Sequence, residues 1–301
     1  MAHDHHHEHG QDRHPGHHHD HGDLDWAEMA PHLVQQAELF TPLYEKAMAW
    51  LGKRQTEPGL VVDVGSGPGV LSCLLADAFP GARVVAVDGA EPLLELARER
   101  AGRLGVADRF GTLAGELPGV LDELDYPADL VLASWSLHHL GDQQAALTAF
   151  ADRLAPGGTL ALLEGGLPTR YLPRDIGIGR PGLQARLDAV HEDWFSEMRA
   201  GLPGTVDVVE DWPALLTAAG LRPTGSRTFL LDLPAPTTDR ARAHAISTYT
   251  RLREVLADRV GADDLATLDR LLDPDDKASL HHRPDVFLLT ARTVHTATRP
   301  V

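Results

Sequence analysis

Residues 61–70, VVDVGSGPGV, gather the residue types that can cradle a nucleotide. Asp63 is followed by Gly65, Gly67 and Gly69 at alternate positions. Glycine tolerates the left-handed backbone of a sharp turn and lets a main chain approach a ligand closely. A β-prone run enters the loop and a helical pattern leaves it, so the N–H groups at the helix start face whatever the loop holds. Asp88 ends the next β-prone run, RVVAVD, where a carboxylate can accept both hydroxyls of an adenosine ribose.

Two details separate the nucleotides such a loop could serve. A dinucleotide loop reads G-x-G-x-x-G/A, and counting from Gly65 its third small position is Val70. The third glycine falls one residue early, at Gly69. The Asp63 carboxylate would repel a pyrophosphate and attract an ammonium or a sulfonium. Both details favour a cationic adenosine derivative.

The elements that must position these residues alternate strand and helix, the pattern of a parallel α/β sheet. Strands are expected at 60–64, 83–88, 110–114, 130–135 and 159–164, with helices at 70–79, from 91, and at 142–154. Upstream, residues 24–51 are helical in pattern, and Pro31 and Pro42 predict a break into two or three short helices. Regular alternation lapses over 166–205. A helix at 211–221 follows, with Asp211 as its cap and Pro213 in its first turn. Then come a strand at 222–233, helices at 238–257 and 262–272, and a last strand at 286–291.

Five segments in this order and spacing resemble the class I S-adenosylmethionine-dependent methyltransferases. VVDVGSGPG is similar to their first motif, D/E-x-G-x-G-x-G, and VVAVDGAE to their second. TLAGELPG resembles the third-strand segment, ADLVLASWSLHHL the fourth-strand motif and RLAPGGTLALLE the fifth. The likeness spans about residues 58–165. It implies a doubly wound, mostly parallel seven-stranded sheet of Rossmann-like type, with an N-terminal helical lid and helical insertions. It also implies roles residue by residue. Gly65, Ser66, Gly67 and Gly69 would pass the methionine part and the ribose. Asp63 would support the amino-acid end, directly or through water. Asp88 would hold the ribose, with Gly89 and Ala90 beside the adenine. Glu116 and the Leu117 backbone would contact the adenine edge, and Ser134 would lie by the methionine ammonium. Tyr44, in the N-terminal lid, is a further cofactor-side candidate.

Methyl transfer from a sulfonium is an in-line displacement, so the protein mainly aligns the groups and excludes water. A general base is needed only when the nucleophile arrives protonated. His138 and His139, after the fourth strand, are the candidates for catalysis or substrate contact. The segment 166–210, with His191 and Trp194, is expected to be a substrate lid. Relatives commonly join the last two strands by a short connection, whereas here a helical insertion over 234–284 intervenes. Dimerisation, a deeper pocket and a cap are the roles open to it.

The chain has 301 residues, 43% hydrophobic and 24% charged, and a formal charge of −17. This balance suits a soluble globular protein and argues against nucleic-acid binding, which needs a positive footprint. No membrane span or signal segment is apparent, and the one cysteine, Cys73, suits a reducing, cytoplasmic setting. Residues 1–22 hold ten of the 18 histidines. They read as a disordered tail with weak transition-metal affinity. The expected organisation is thus tail 1–22, helical lid 23–57, cofactor-binding core 58–165, substrate lid 166–210 and the rest of the sheet 211–301. The expected activity is methylation of a small molecule or peptide natural product, oxygen ahead of nitrogen, with a homodimer among the assemblies open to it and no metal site in the core. The competing readings are a nicotinamide-dependent oxidoreductase and a non-catalytic protein that binds metal through its tail.

Overall fold

The computed structural model describes residues 26–55 and 57–301. The histidine-rich tail, and with it the expected metal binding, lies outside the described residues.

Seven strands form one sheet: β1 (Leu60–Val64), β2 (Arg83–Asp88), β3 (Phe110–Ala114), β4 (Ala128–Ser134), β5 (Leu154–Arg170), β6 (Arg222–Leu233) and β7 (Leu288–Thr298). Their order is β3-β2-β1-β4-β5-β7-β6. The first five pair in parallel, and β7 runs antiparallel to both β5 and β6. The order departs from the 3-2-1-4-5-6 arrangement of dinucleotide-binding folds by the antiparallel β7. Strand direction reverses its order of addition between β1 and β4, and there an open α/β sheet binds ligands beyond its carboxyl edge.

Both faces of the sheet are covered, which explains the continuous apolar runs in its central strands. Because side chains alternate along a strand, Val61, Val84, Leu130 and Leu132 enter one core cluster and Val62, Val85, Val131 and Ala133 the other. The first face packs against α1 (Trp26–Gly52), α2 (Val70–Ala78), α5 (Leu183–Ala200), α7 (Asp239–Val255) and α8 (Ala262–Leu272). The second packs against α4 (Gln143–Asp152) and α6 (Trp212–Ala218). The remaining helix, α3 (Glu91–Arg103), follows β2. Asp142 and Asp211 cap α4 and α6 by accepting the N–H groups of Ala145 and Ala214.

Several boundaries differ from expectation, β4 and α6 by two or three residues and others by more. The N-terminal segment is one helix of 27 residues with both prolines inside it. An interior proline costs about 3 kcal/mol. Here Leu39, Phe40, Leu43, Tyr44, Ala47, Met48 and Leu51 form one buried stripe running past Pro42. At about 1.5–3 kcal/mol for each large apolar side chain, that burial outweighs the break. β5 is longer at both ends than the expected 159–164. Pro156, Gly157 and Gly158 form an irregularity within it, and it crosses the expected core–lid boundary at 165. Within the expected lid, α5 supplies 18 helical residues. β7 starts two residues after the expected Val286 and runs on through TVHTAT. Its threonines pair across the sheet, Thr293 with Thr228 and Thr296 with Thr224, each at 2.9 Å. No helix among the described residues is long and apolar enough to cross a membrane.

Candidate active site

The glycine loop joins β1 to α2 at the carboxyl edge of the sheet. Gly65, Gly67 and Gly69 all hold left-handed backbone, with φ of 68°, 51° and 71°. The space around them differs. A Cβ at Gly65 would sit 2.4 Å from the Ser136 Cβ, and one at Gly69 would sit 2.5 Å from the Ala97 Cβ of α3. A Cβ at Gly67 would meet nothing within 4 Å. Two glycines therefore admit neighbouring chain, and only the middle one faces open space.

Asp88 holds this loop in shape. Its Oδ2 accepts the Gly67 N–H at 2.8 Å and its Oδ1 the Ala90 N–H at 2.9 Å. Each oxygen keeps a second lone pair for a ligand hydroxyl. Burial raises its pKa, against the pull of those N–H groups. Gly89 and Glu116 are exposed and adjacent: a Cβ on Gly89 would lie 3.2 Å from the Glu116 Oε1. Leu117 packs half-buried on the second core cluster. Ala90 is buried with Leu93 of α3 and Ala30 of α1, so α1 begins over this corner. An ion pair of Glu38 with Arg100, at 2.6 Å, ties the same two helices.

Asp63 stands in the strand that enters this loop. It is 1% exposed and accepts the Ser72 hydroxyl of α2 beneath the loop. Burial pushes its carboxyl up to about 7, with Asp88 adding to the effect. Its hydrogen bond braces the start of α2.

A second group of side chains adjoins this loop through residues 134–139. Ser134 ends β4, half-buried. Trp135 is 40% exposed with φ 53°, and Ser136 turns back against Gly65. His138 lies edge-on to Trp135 at 5.9 Å and 5.7 Å from Phe195 of α5. Its Nδ1 is 4.0 Å from the Oε2 of Glu164 on β5. Burial, helped by His139 and Arg199, drives the His138 pKa down to about 3. Burial pushes the Glu164 carboxyl, 4% exposed, up to about 8. At neutral pH both are therefore uncharged. His139 is exposed, and its ring lies tilted against that of His138 at 4.1 Å. Tyr44 is buried in the first core cluster, close enough to Arg292 of β7 to feel its charge.

Helix α5 closes on this group. Arg199 donates to the His138 carbonyl at 2.5 Å and to that of Leu140. Gly141 lets residues 203–205 pass so closely that a Cβ there would collide with the Pro203 carbonyl. Of the expected lid aromatics, His191 and Trp194 pack on each other at 5.3 Å.

Three residues that the motif reading left without a role stand in the site: Ser136, Glu164 and Arg292. Glu164 had a visible signal, as an acidic residue ending an apolar strand run, as Asp88 does. Arg292 had none, since polar residues recur all along β7. Two adjacent Gly residues place both of them. Gly165 and Gly166 bulge β5 against β7, and a Cβ at Gly166 would collide with the Ala291 carbonyl. Bulges of this kind re-aim side chains beside active sites.

The residues fit an adenosine-type donor on two observations. The cradle is open at Gly67. The buried hydroxyls of Ser66 and Ser136, on either side of Gly65, have no hydrogen-bond partner among the described residues. Unpaired buried hydroxyls are rare and call for a ligand or water.

Residues 61–158 match the family described as a methyltransferase domain. A trans-aconitate 2-methyltransferase of Streptomyces coelicolor is 30% identical over 224 residues, 66% of this chain and 71% of that protein. Another, from Methylobacterium radiotolerans, is 31% identical over 220 residues, 64% of this chain and 77% of that protein. A solved candidate methyltransferase from Bacillus halodurans shares the fold, with a TM-score of 0.50 at 15% identity over 85% of this chain and 99% of that one.

Proposed function

The chain belongs to the class I S-adenosylmethionine-dependent methyltransferases, and from that premise we propose that it methylates an oxygen atom of a small molecule held between residues 134–139, α1 and α5. Its cofactor is S-adenosylmethionine, which supplies an activated methyl group on a sulfonium. The observation that carries the reading is the adjacency of two unlike groups. The cradle that is open at Gly67 meets Ser136 at Gly65, and residues 134–138 lead from there into the cluster of Trp135, His138 and Glu164.

On this reading the chain's own residues divide the work. Asp88 binds the ribose hydroxyls while it shapes the loop. Gly89, Ala90, Glu116 and the Leu117 backbone border the adenine. Ser66, Ser134 and Ser136 serve the amino-acid end, and Asp63 acts through α2 rather than by contact. The aromatic walls and α5 exclude water, which removes competition from hydrolysis. His138 and His139 contact the acceptor. His138 is a poor store for a proton, because its buried ring resists protonation. Residues 23–57 and 166–210 act as two lids over the core 58–165.

The test incubates the protein with S-adenosylmethionine tritiated at the methyl group. The acceptor panel holds phenols, primary alcohols, carboxylic acids and amines, including trans-aconitate, the acceptor named for two relatives. Label on an oxygen acceptor is expected. Label on amines alone would overturn the oxygen assignment.

A further inference from the structure

We infer that the acceptor is a carboxylate and that Arg292 receives it, an inference that rests on the oxygen-methylation reading above. Arg292 stands in β7 opposite Gly166 of β5 and Phe229 of β6. Its guanidinium lies 4.3 Å from the centroid of the Trp135 ring and 5.7 Å from that of Phe40. Its Nη1 donates to the carbonyls of Leu167 and Ala291, at 3.1 and 3.2 Å. Neither Nε nor Nη2 has a hydrogen bond among the described residues, and no carboxylate there lies within ion-pairing distance. Arg186 and Arg283, by contrast, are matched to Asp264 and Asp285.

The ionisable groups around Arg292 do not neutralise it. Tyr44 on α1 and Tyr171 after β5 are both pushed up to about 12 by burial. Glu164 on β5 is the carboxyl nearest in effect and stays protonated at neutral pH. His244 on α7 is held near 4 by burial and by the cations around it. Glu210, which acts on Glu164, is exposed, and Arg199 of α5 adds a second cation whose bonds go to backbone carbonyls. A half-buried guanidinium without a counter-ion is costly, and an incoming anion offsets that cost. Stacked on Trp135, its planar edge suits the two-point grip that arginine makes on a carboxylate.

The chemistry agrees with the missing base. A carboxylate arrives deprotonated. One of its oxygens forms the new O–C bond as the S–C bond of the sulfonium breaks, and sulfur keeps the electron pair. The products are a methyl ester and the neutral thioether, and no proton moves. A buried histidine that resists protonation is no handicap in that reaction, whereas a phenol or alcohol would need somewhere for its proton to go.

The experiment uses the full chain, tritiated donor and paired acceptors: the carboxylic acids of the panel, with benzoate and cinnamate, each beside its primary amide. Methyl esters release volatile labelled methanol in warm base, and ethers do not. Base-volatile label from acids, with the amides inert, is expected. Arg292→Gln should lower kcat/KM for the acid by at least about thirtyfold, the scale of a removed buried charge partner. Its affinity for S-adenosylhomocysteine by calorimetry should stay within about twofold, and Arg292→Lys should recover part of the loss. Base-stable label on phenols or alcohols with inert acids would overturn the carboxylate while leaving oxygen methylation in place. So would an Arg292→Gln protein as active on the acid as the parent. Label on amines only, or on nothing while S-adenosylhomocysteine binds, would overturn the underlying reading itself.

Discussion

The donor cradle and the acceptor cluster touch at Ser136 but are built on opposite principles. The heart of the cradle comes from one continuous stretch, residues 60–90, and its tools are backbone: three left-handed glycines, helix-start N–H groups, and Asp88 accepting from Gly67 and Ala90. The cluster comes from distant stretches, α1, residues 134–139, β5, α5 and β7, and its tools are side chains, Glu164 and Tyr44 among them held away from water. The cradle is therefore sensitive to shape, and the cluster to charge. A cofactor common to a whole family calls for fixed shape, and an acceptor particular to one protein calls for adjustable charge.

The largest expected effect tests shape. Gly69→Ala drives a methyl group into the Ala97 backbone of α3 at 2.8 Å while imposing an unfavourable φ. Overpacking and a left-handed alanine together predict a loss of about 3–5 kcal/mol in unfolding stability. Gly67→Ala has open space and should lose only about 1–2 kcal/mol from its backbone, yet weaken S-adenosylhomocysteine binding. Thermal unfolding and calorimetry read both. Equal stability losses would erase the distinction between packing and ligand-facing glycines.

Charge in the cluster comes next. Between pH 4.5 and about 8 the native state keeps a proton on Glu164 that the unfolded state has released, so stability falls as pH rises through that window. Asp63, likewise raised by burial, acts in the same direction. His138 has the opposite sign: its contribution is full above 6.5 and is lost as pH falls toward 3. Glu164→Gln, which keeps an acceptor for the Leu137 N–H, is expected to gain stability over the parent at pH 8.5, on the order of 2–4 kcal/mol, and little at pH 5. Parallel denaturation curves at the two pH values would show the carboxyl to be charged after all.

Asp88→Ala should weaken S-adenosylhomocysteine binding by at least about tenfold, since it removes charge-assisted hydrogen bonds from both loop and ligand. Unchanged affinity would remove Asp88 from the cradle. The smallest effect belongs to residues 1–22. Their deletion is expected to leave donor affinity and methyl transfer unchanged, and a large fall in activity would tie the histidine-rich tail to the reaction.

Where one segment carries its own determinants, its structure was legible in advance. The strands 60–64, 83–88, 110–114 and 222–233 stand where their patterns put them, and Asp142 and Asp211 lie at the helix starts they announce. Residues whose behaviour depends on distant partners were not legible. Pro42 does not break α1, because the buried stripe that holds the helix together is completed by other elements. The polar-rich β7 became a central strand only because β5 and β6 flank it. Arg292 in isolation reads as an ordinary strand arginine.

The sequence by itself determined the fold class and the methyl donor, because a glycine loop, an acidic strand end and a helix start act within about thirty residues of one another. Tertiary structure alone assembled the cluster proposed for the acceptor. Burial set Glu164 and His138 neutral, and the bulge at Gly165 and Gly166 brought Arg292 over Trp135. Charge state depends on desolvation, and desolvation exists only once remote segments have packed together.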